Sequence, residues 1–388
     1  MGNFFFSAAN AQGGPLAGLR VVELSSVVMA PYACQLLGDM GADVVKVEPP
    51  GGEMARHYPG GRGAGLNPLF LNTNKSKRSV ICDLRAADDR ETFLSLLDEA
   101  DVLVTNYRPG ARLRLSVDYD SIGPMFPRLI YCCAQGFRRD SPEYDQAAYD
   151  EVVQSAAGLT SAMEYLTGYP SCFPSIIADK ICGLAIVNSV LAAVIARNTT
   201  GRGQEVNVPM VDTLFAFTML EHLAGNTFVP PYGPVGYPFA FTVERGDVQA
   251  KNGKISIHPY SLEHMEKLLD AVGRQDVLEN DPYFHDWGNS VNDGRKHVYE
   301  TVRDIAPLLT VDEWIEVGRK HSIPISVPLD LKAPLENTYV RTGALLREFE
   351  HSTEGTILVP RYPVYYGDTP IPEYQETPVI HNEQNPRS

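Results

Sequence analysis

The chain has 388 residues, of which 44% are hydrophobic and 21% are charged, and its formal net charge at pH 7 is −15. This length favours two domains over a single core. A surface this acidic repels polyphosphate backbones and anionic lipids, so we expect neither a nucleic acid nor a membrane partner. A small anionic ligand is not excluded, because its binding depends on the charge of its own site rather than on the total.

The six cysteines follow neither a zinc-binding nor a disulfide pattern. None of them forms a CxxC pair, and most lie in apolar runs such as residues 129–134. This usage is typical of reduced thiols in a protein core. The sequence therefore predicts a cytoplasmic location and no metal site.

After a lead-in at residues 1–14, the first part of the chain alternates between strand and helix patterns. Short β-rich runs predict strands at residues 19–24, 44–48, 79–84, 101–105 and 129–134. Apolar residues recur at helical spacing in residues 31–40 and 87–100. This alternation predicts a parallel sheet covered by helices, and such sheets bind ligands at the carboxyl ends of their strands.

A helical region follows from residue 149 to about residue 217. Residues 180–197 are apolar on nearly every side, and small residues among them allow a close approach to neighbours. We therefore predict a central, buried helix. A membrane span is disfavoured, because the apolar run at residues 181–196 is shorter than the roughly 20 residues that a bilayer requires.

A second domain is predicted beyond a linker. Residues 225–242 carry four prolines and three glycines, and Asn252-Gly253 then predicts a hairpin turn, followed by helices. We expect a large domain, a linker and a small α+β domain, at residues 15–224 with 335–388, at residues 225–245 and at residues 246–334. The proline-rich tail from residue 352 is expected to pack back on the large domain.

The common catalytic signatures are absent from the sequence. It contains no P-loop, HExxH or GxSxG motif, and no histidine lies between His57 and His222. The first domain therefore has no imidazole base in its core. Catalysis there must use carboxylates, hydroxyls or backbone dipoles.

Asp179 is the most unusual charged residue in this region, because it opens the apolar helix. One interpretation is structural: the side chain is the N-cap and accepts hydrogen bonds from the first helical amides. The other is chemical: oriented N–H groups and the helix dipole favour the ionised carboxylate, which, if closed to water, could attack an acyl carbon. The two interpretations are compatible.

Basic residues cluster in two loops of the first domain. They are Lys75, Lys77, Arg78, Arg108, Arg112 and Arg114. Any one of them could simply be a solvated surface residue. Together they predict a basic edge that suits a ligand with several phosphates.

Several blocks of the sequence resemble the CaiB/BaiF, or class III CoA-transferase, family, which includes formyl-CoA transferase. They begin with residues 15–24 and 41–48 and continue with Asn74-Lys-Ser-Lys-Arg-Ser79 and Asn106-Tyr-Arg-Pro-Gly110. Tyr149-Asp150, Ala178-Asp179 and Thr200-Gly-Arg-Gly-Gln204 complete the series. The matches run in order from residue 15 to about residue 215, which makes the resemblance specific.

The resemblance implies an α/β fold with a doubly wound, Rossmann-like large domain, a smaller α+β domain and an interlocked homodimer. It also implies that Asp179 is the nucleophile of a CoA-transferase. The coenzyme A contacts that it implies are Ser26, Val27, Val28, Met29, Lys77, Arg78, Asn106, Tyr107, Ala111 and Arg114. The partners would be an acyl-CoA and a small carboxylic acid.

Two departures from the family pattern bear on the acceptor acid. Val28 stands where formyl-CoA transferases have a glutamine, and residues 232–236, the candidate loop over the active site, lack their glycine run. Both argue against oxalate. A heteromer with a related subunit stays an alternative to the homodimer.

The family also includes α-methylacyl-CoA racemases, which need two proton-transfer groups. In them a histidine precedes an aspartate where this chain has Tyr149-Asp150. A tyrosine, with a pKa near 10, is a poorer proton acceptor than a histidine at about 6.5, so the transferase is favoured over a racemase or isomerase. A non-catalytic CoA-binding protein and a thioester hydrolase are two less favoured hypotheses.

Overall fold

The computed structural model describes residues 5–6, 13–62 and 66–380. By their internal contacts they form two compact units: unit 1 within Met1–Gly158, Cys172–Phe217 and Thr342–Ser388, and unit 2 within Leu159–Ser171 and Thr218–Arg341. The domain and linker boundaries expected from the sequence stay a prediction. Most of the expected lead-in, at residues 1–4 and 7–12, lies outside the described residues.

Unit 1 contains a six-stranded sheet in which every neighbouring pair is parallel. Its strands are β1 Arg20–Leu24, β2 Asp43–Glu48, β3 Arg78–Ile81, β4 Val102–Thr105, β5 Ile130–Gln135 and β6 Glu205–Pro209. The spatial order β3-β2-β1-β4-β5-β6 reverses between β1 and β4. Open sheets of this kind place ligand sites at such a switch point. The parallel α/β fold predicted from the sequence is confirmed.

The helices of residues 29–222 connect these strands or continue into unit 2. They are α1 Met29–Asp39, α2 Pro68–Thr73, α3 Ala87–Glu99, α4 Pro109–Arg114, α5 Tyr119–Ile122, α6 Asp150–Ala156, α7 Leu159–Thr167, α8 Ile177–Thr200 and α9 Met210–His222. Helices α1 and α8 share one buried cluster with the sheet, whereas α3 and α5 share a second cluster with other residues of the same strands. All residues of β2, β4 and β5 are buried, as expected for a parallel sheet covered on both faces.

Helix α8 lies in the core but is buried on one side only, so the predicted central, buried helix is confirmed in part. Its buried residues, such as Cys182, Ile186 and Val190, follow helical spacing and pack in the core, and a Cβ at Gly183 would lie only 2.9 Å from the Tyr32 ring. On other sides of the helix, the side chain of Leu184 is 49% exposed and that of Ile195 is 68% exposed. Apolar composition alone did not reveal which side the core would cover.

Helix α8 is long and apolar enough to cross a membrane, judged by length and composition alone. The core helix of a soluble protein can be equally long and apolar. In this structure α8 contacts α1, β5 and β6. The contacts therefore describe a helix packed on a sheet.

Unit 2 has a small antiparallel sheet and several helices. Its strands are β7 Val248–Ala250, β8 Gly253–Ile257 and β9 Ile325–Ser326, and its later helices are α10 Leu262–Ala271, α11 Asp276–Asn280, α12 Pro282–His285, α13 Lys296–Ile305, α14 Val311–His321 and α15 Thr338–Thr342. The register of β7 with β8 confirms the hairpin predicted at Asn252-Gly253. Trp314 is fully buried in the core of this unit.

The tail of the chain forms a hairpin, β10 Leu346–His351 with β11 Gly355–Pro360. Beyond it, Tyr362 joins the buried cluster that contains α1 and α8. The Thr377 hydroxyl donates to the carbonyl of Leu71 at 3.1 Å. Unit 1 is therefore completed by the last part of the chain.

Candidate functional site

A cavity of about 360 Å³ lies in unit 1, where β1, β4 and β5 end. Its walls come from the segment after β1, from the segment after β4 with the start of α4, and from residues 135–136 and 146–149. Asp179, in the first turn of α8, also lines it. The cavity is therefore at the sheet's switch point, where the strand pattern predicted a ligand site.

The structure brings most of the predicted site residues to this cavity. Those that line it are Ser26, Val27, Val28, Met29, Asn106, Tyr107, Ala111 and Asp179. Three predicted contacts, Lys77, Arg78 and Arg114, are not among its lining residues. Lys77 and Arg78 instead line a separate cavity of about 330 Å³.

Lys77 is buried and already has several partners. Its Nζ donates to the carbonyls of Pro31 and Thr73, at 2.7 and 2.9 Å, and to the Asn74 side chain at 2.9 Å. It also pairs with Glu23 at 2.7 Å. Burial by itself would raise the pKa of Glu23, but Lys46 and Lys77 outweigh it and hold that pKa at about 2. Lys77 therefore belongs to a buried ion-pair network.

The predicted basic edge is largely neutralised by internal contacts. Arg78 pairs with Asp43 at 2.6 Å, and Lys75 pairs with Asp39 at 3.3 Å. Arg108 lines the cavity and pairs with Asp145 at 3.7 Å, but both of these side chains are more than half exposed. Of the six basic residues in the two loops, all of them described, Arg108 is the one that reaches the cavity.

The segment after β1 is held in a strained conformation. The Asn106 side chain accepts from the Ser26 amide at 3.0 Å and donates to the Ser26 carbonyl at 2.8 Å. The Val27 amide donates to Glu53 at 3.1 Å, and Val27 has a φ of 70°, which is costly for a β-branched residue. Asn106 thus shapes the cavity wall by fixing the backbone of Ser26.

Asp179 is not the N-cap of α8, so the structural interpretation of this residue was wrong. The N-cap is Ile176, which makes no side-chain cap hydrogen bond. Within the described residues, no protein group hydrogen-bonds the Asp179 carboxylate. This side chain therefore faces the cavity without a bonded protein partner.

The electrostatic environment of Asp179 is the opposite of the one expected. Burial, then the charges of Asp150 and Glu151, raise the pKa of Asp179 from 3.8 to about 7. Desolvation and like charge outweigh the helix dipole here. A carboxyl with such a pKa is more basic than an ordinary aspartate.

Sequence reasoning missed several lining residues. They include Met54, Gln135, Gln146 and Met210. Gln135 ends β5, so its place at the carboxyl end of a strand was a usable signal. Met54 lies in the short turn Met54–His57, which the sequence did not reveal. Tyr149, noted only for the racemase alternative, also lines the cavity and is 56% exposed.

Tyr58 also lies in the neighbourhood of the site. Burial raises the pKa of the Tyr58 phenol, and Tyr149, Glu53 and Asp179 raise it further. The phenol therefore keeps its proton at neutral pH. Nothing in the residue pattern around position 58 indicated this placement.

Comparison with known proteins gives a consistent result. The family model described as CoA-transferase family III matches residues 16–384. The chain is 29% identical to the acetyl-CoA:oxalate CoA-transferase of Acetobacter aceti, over 86% of this chain and 87% of that protein. It is 25% identical to the cinnamoyl-CoA:phenyllactate CoA-transferase of Clostridium sporogenes, over 94% of this chain and 90% of that protein.

Solved structures agree with the fold. The crystal structure of Rv3272 from Mycobacterium tuberculosis is similar with a TM-score of 0.79 and 26% identity, over 95% of this chain and 97% of that chain. A CaiB/BaiF family protein from Brucella suis, 24% identical, shares the fold with a TM-score of 0.78, over 95% of this chain and 96% of that chain. This chain belongs to CoA-transferase family III and is an enzyme of that family.

Proposed function

We propose that this enzyme moves coenzyme A from an acyl-CoA donor to a carboxylic acid acceptor, with Asp179 as the nucleophile. One observation carries the proposal. The Asp179 carboxylate, which no described protein group hydrogen-bonds, lies in a cavity at the switch point of the parallel sheet. The family match supports CoA transfer in general, and the geometry supports Asp179 as the reacting group.

The reaction would proceed in four displacements. The Asp179 carboxylate attacks the thioester carbon and expels CoA thiolate, which leaves a mixed anhydride. The thiolate then attacks the aspartyl carbonyl, releasing the donor acid and leaving an aspartyl-CoA thioester. The acceptor carboxylate attacks this thioester and expels the thiolate again. Finally the thiolate attacks the acceptor's carbonyl, which yields the new acyl-CoA and frees Asp179.

The raised pKa of Asp179 suits this role. Its carboxylate is more basic than that of an ordinary aspartate and is therefore a stronger nucleophile once ionised. The same partial burial keeps water from the anhydride, which would otherwise be hydrolysed. At neutral pH a substantial fraction of the group is ionised, because its pKa is about 7.

The start of α1 offers groups that would stabilise the oxyanions. Val28 is its N-cap, with no side-chain cap hydrogen bond, and both Val28 and Met29 line the cavity. Free amides at a helix N-terminus favour negative charge on a nearby carbonyl oxygen. The role of residues 232–236 as a covering loop stays a prediction.

Coenzyme A binding is assigned to the segments after β1 and β4. The apolar side chains of Val27, Val28 and Ala111 suit the uncharged arm of the cofactor. The phosphates would meet Arg108, since the Lys77 ammonium group already has four partners. The predicted roles of Arg78 and Arg114 are untested.

The acceptor acid has an apolar body in this proposal. Val28, Met29, Met54 and Met210 line the same cavity as Asp179. Burial of apolar surface against these side chains favours such an acid over oxalate, a small dianion, in line with the sequence-based expectation.

A homodimer is proposed from the exposed side of α8. Leu184 and Ile195 on this helix, with Phe215 on α9, are 49%, 68% and 52% exposed. Exposed apolar groups of this kind mark interaction surfaces, and a symmetric partner would cover them. An interlocked form is the arrangement that the sequence resemblance implies. A cytoplasmic location is also proposed, because the six cysteines are unpaired.

The function is tested by incubating the enzyme in deuterium oxide with a panel of acyl-CoA thioesters, with and without carboxylic acids. A new acyl-CoA that forms only with added acid, together with a mass adduct on the peptide containing Asp179, supports the transferase. D179A should form no product and no adduct. Deuterium that enters the α-position without an acceptor would instead establish a racemase or isomerase, for which Tyr149 and Asp179, which both line the cavity, would be the candidate proton-transfer groups.

A further inference from the structure

Asp150 and Gln154 form a buried pair one turn apart on α6. Asp150 is 6% exposed and Gln154 is 1% exposed. The Gln154 side-chain amide donates to one carboxylate oxygen of Asp150, Oδ2, at 2.5 Å. Within the described residues Asp150 forms no ion pair, and a buried carboxylate without a cation is costly.

The other carboxylate oxygen of Asp150 reaches the start of α8. It accepts a hydrogen bond from the backbone N–H of Asp179 at 3.1 Å. The N-cap of α8, Ile176, provides no side-chain acceptor, although the first helical amides need one. Asp150 thus supplies from another helix the acceptor that α8 lacks, at the residue that carries the proposed nucleophile.

Gln154 ties down the segment that precedes α8. Its side-chain carbonyl accepts from the Phe173 amide at 2.8 Å, and its side-chain amide lies 3.3 Å from the Ser175 carbonyl. The pair therefore holds the chain before Asp179 and the backbone of Asp179 itself. A shift of α6 would move the nucleophile.

We propose that Asp150 is a positioning residue, which fixes the backbone of Asp179 through its N–H and whose negative charge favours the acylated over the free form of the Asp179 side chain. The inference rests on the proposed role of Asp179. Its physical basis is that free Asp179 is an anion beside a second buried anion, whereas the anhydride and the thioester are uncharged. Each covalent intermediate removes the repulsion between the two carboxylates.

The charged and titratable neighbours of Asp179 are consistent with this role. After burial, Asp150 is the largest cause of its raised pKa and Glu151 is the next. Tyr149 lines the cavity, and Tyr58 is close enough for Asp179 to raise the pKa of its phenol. The adjacent Lys180 bonds the Ser175 hydroxyl at 2.6 Å. Asp150 is thus the charged group that acts on Asp179 in two ways, through a hydrogen bond to its backbone N–H and through the electrostatic effect of its negative charge.

The test measures adduct formation on Asp179 by mass spectrometry in a single turnover, from pH 5 to pH 9, with the full chain. D150N removes the charge and keeps an oxygen for the Asp179 amide. We expect the pH midpoint of adduct formation to fall from about 7 towards that of an ordinary aspartate, and the rate at pH 8 to fall about tenfold or more.

Two further variants separate the charge from the fold. In D150N the new amide would face the Gln154 amide, so D150N/Q154E restores a donor opposite an acceptor and keeps an acceptor for Phe173. The double variant returns a carboxylate to α6 at residue 154, so we expect its pH midpoint of adduct formation to fall less than that of D150N. The matched control E151Q removes the neighbouring exposed acid, which has no hydrogen bond to α8 in the described structure. We expect E151Q to shift the pH midpoint of adduct formation less than D150N does.

The outcomes are distinct. If D150N melts like the parent protein but shows the lowered midpoint and slower adduct formation, with a smaller change in D150N/Q154E, the proposal is supported. If folded D150N, or folded D150N/Q154E where D150N does not fold, keeps the parent's midpoint and rate while D179A forms no adduct, Asp150 is only a structural cap and the proposal is overturned. Should D179A still form the adduct, the proposed function itself fails.

Discussion

The Asn106 side chain forms two hydrogen bonds with the backbone of Ser26, accepting from its N–H at 3.0 Å and donating to its carbonyl at 2.8 Å. This contact joins the ends of β1 and β4 at the switch point of the sheet. It also holds one end of a segment in which Val27 adopts a left-handed conformation. The shape of the cavity wall therefore depends on Asn106 as well as on the segment that it holds.

The first prediction concerns this contact. N106A should raise the KM for acyl-CoA roughly thirtyfold, equivalent to about 2 kcal/mol for two hydrogen bonds, because the segment after β1 loses its anchor. The effect on kcat should be smaller. Steady-state kinetics checks it, with N280A, which removes another side-chain bond to a backbone carbonyl, as the control. An unchanged KM would show that Val27 and its neighbours hold their conformation without Asn106.

The second prediction is a pH dependence of stability. Folding raises the pKa of Asp179 from 3.8 to about 7, so between these values the folded state binds a proton that the unfolded state has lost. The free energy of unfolding contributed by this group therefore falls as the pH rises through that window. D179N lacks the group, so it should exceed the parent protein in stability by on the order of 3 kcal/mol at pH 8 and match it at pH 4, after allowance for partial exposure.

Urea unfolding at the two pH values measures this difference. D120N, which changes an exposed aspartate elsewhere in unit 1, should give the same stability difference from the parent at both. Equal stability of D179N and the parent at pH 8 would mean that Asp179 is well solvated in the folded state.

The third prediction separates Lys77 from Arg108. K77M leaves Glu23 with one cation fewer in a buried network, so it should lower the free energy of unfolding by about 3 kcal/mol. R108M removes an exposed guanidinium at the cavity and should leave stability within about 0.5 kcal/mol while weakening CoA binding. Titration calorimetry measures the binding of CoA, and thermal melts measure the stability of each variant. Weaker CoA binding by K77M without a loss of stability would restore the sequence-based assignment of Lys77.

The fourth prediction concerns the exposed side of α8. L184E should shift the protein from dimer to monomer, because it places a charge in an apolar interface. L113E changes a leucine on α4 that is 69% exposed and should leave the oligomeric state unchanged. Light scattering after size exclusion measures both. A parent protein that is already a monomer would contradict the proposed homodimer directly.

Several strands were predictable from the sequence. Those at β1, β2, β4 and β5 were found close to their observed bounds, because each contains a short cluster of apolar residues, many of them β-branched. Strand β6, Glu205–Pro209, was missed. Its five residues include polar ones, and only pairing with β5 marks it as a strand.

The site was only partly predictable. The family blocks led to Asp179, but its hydrogen-bonding partner Asp150 lies 29 residues earlier, and no local pattern joins the two. A sequence also shows how many lysines a loop has, but it does not show whether each lysine forms an ion pair within the folded protein. Glu23 lies on β1 and Lys77 directly precedes β3, so their pairing depends on the order β3-β2-β1 in the sheet.

Unit 1 is made from three separated stretches of the chain, and its third stretch places Tyr362 in the core and Thr377 against Leu71. A ribosome making this protein therefore finishes all of unit 2 before the last pieces of unit 1 exist. Until Tyr362 has been added, the buried cluster that contains much of α8, the helix that carries Asp179, lacks one of its members. The synthesis of unit 2 therefore precedes the completion of that cluster.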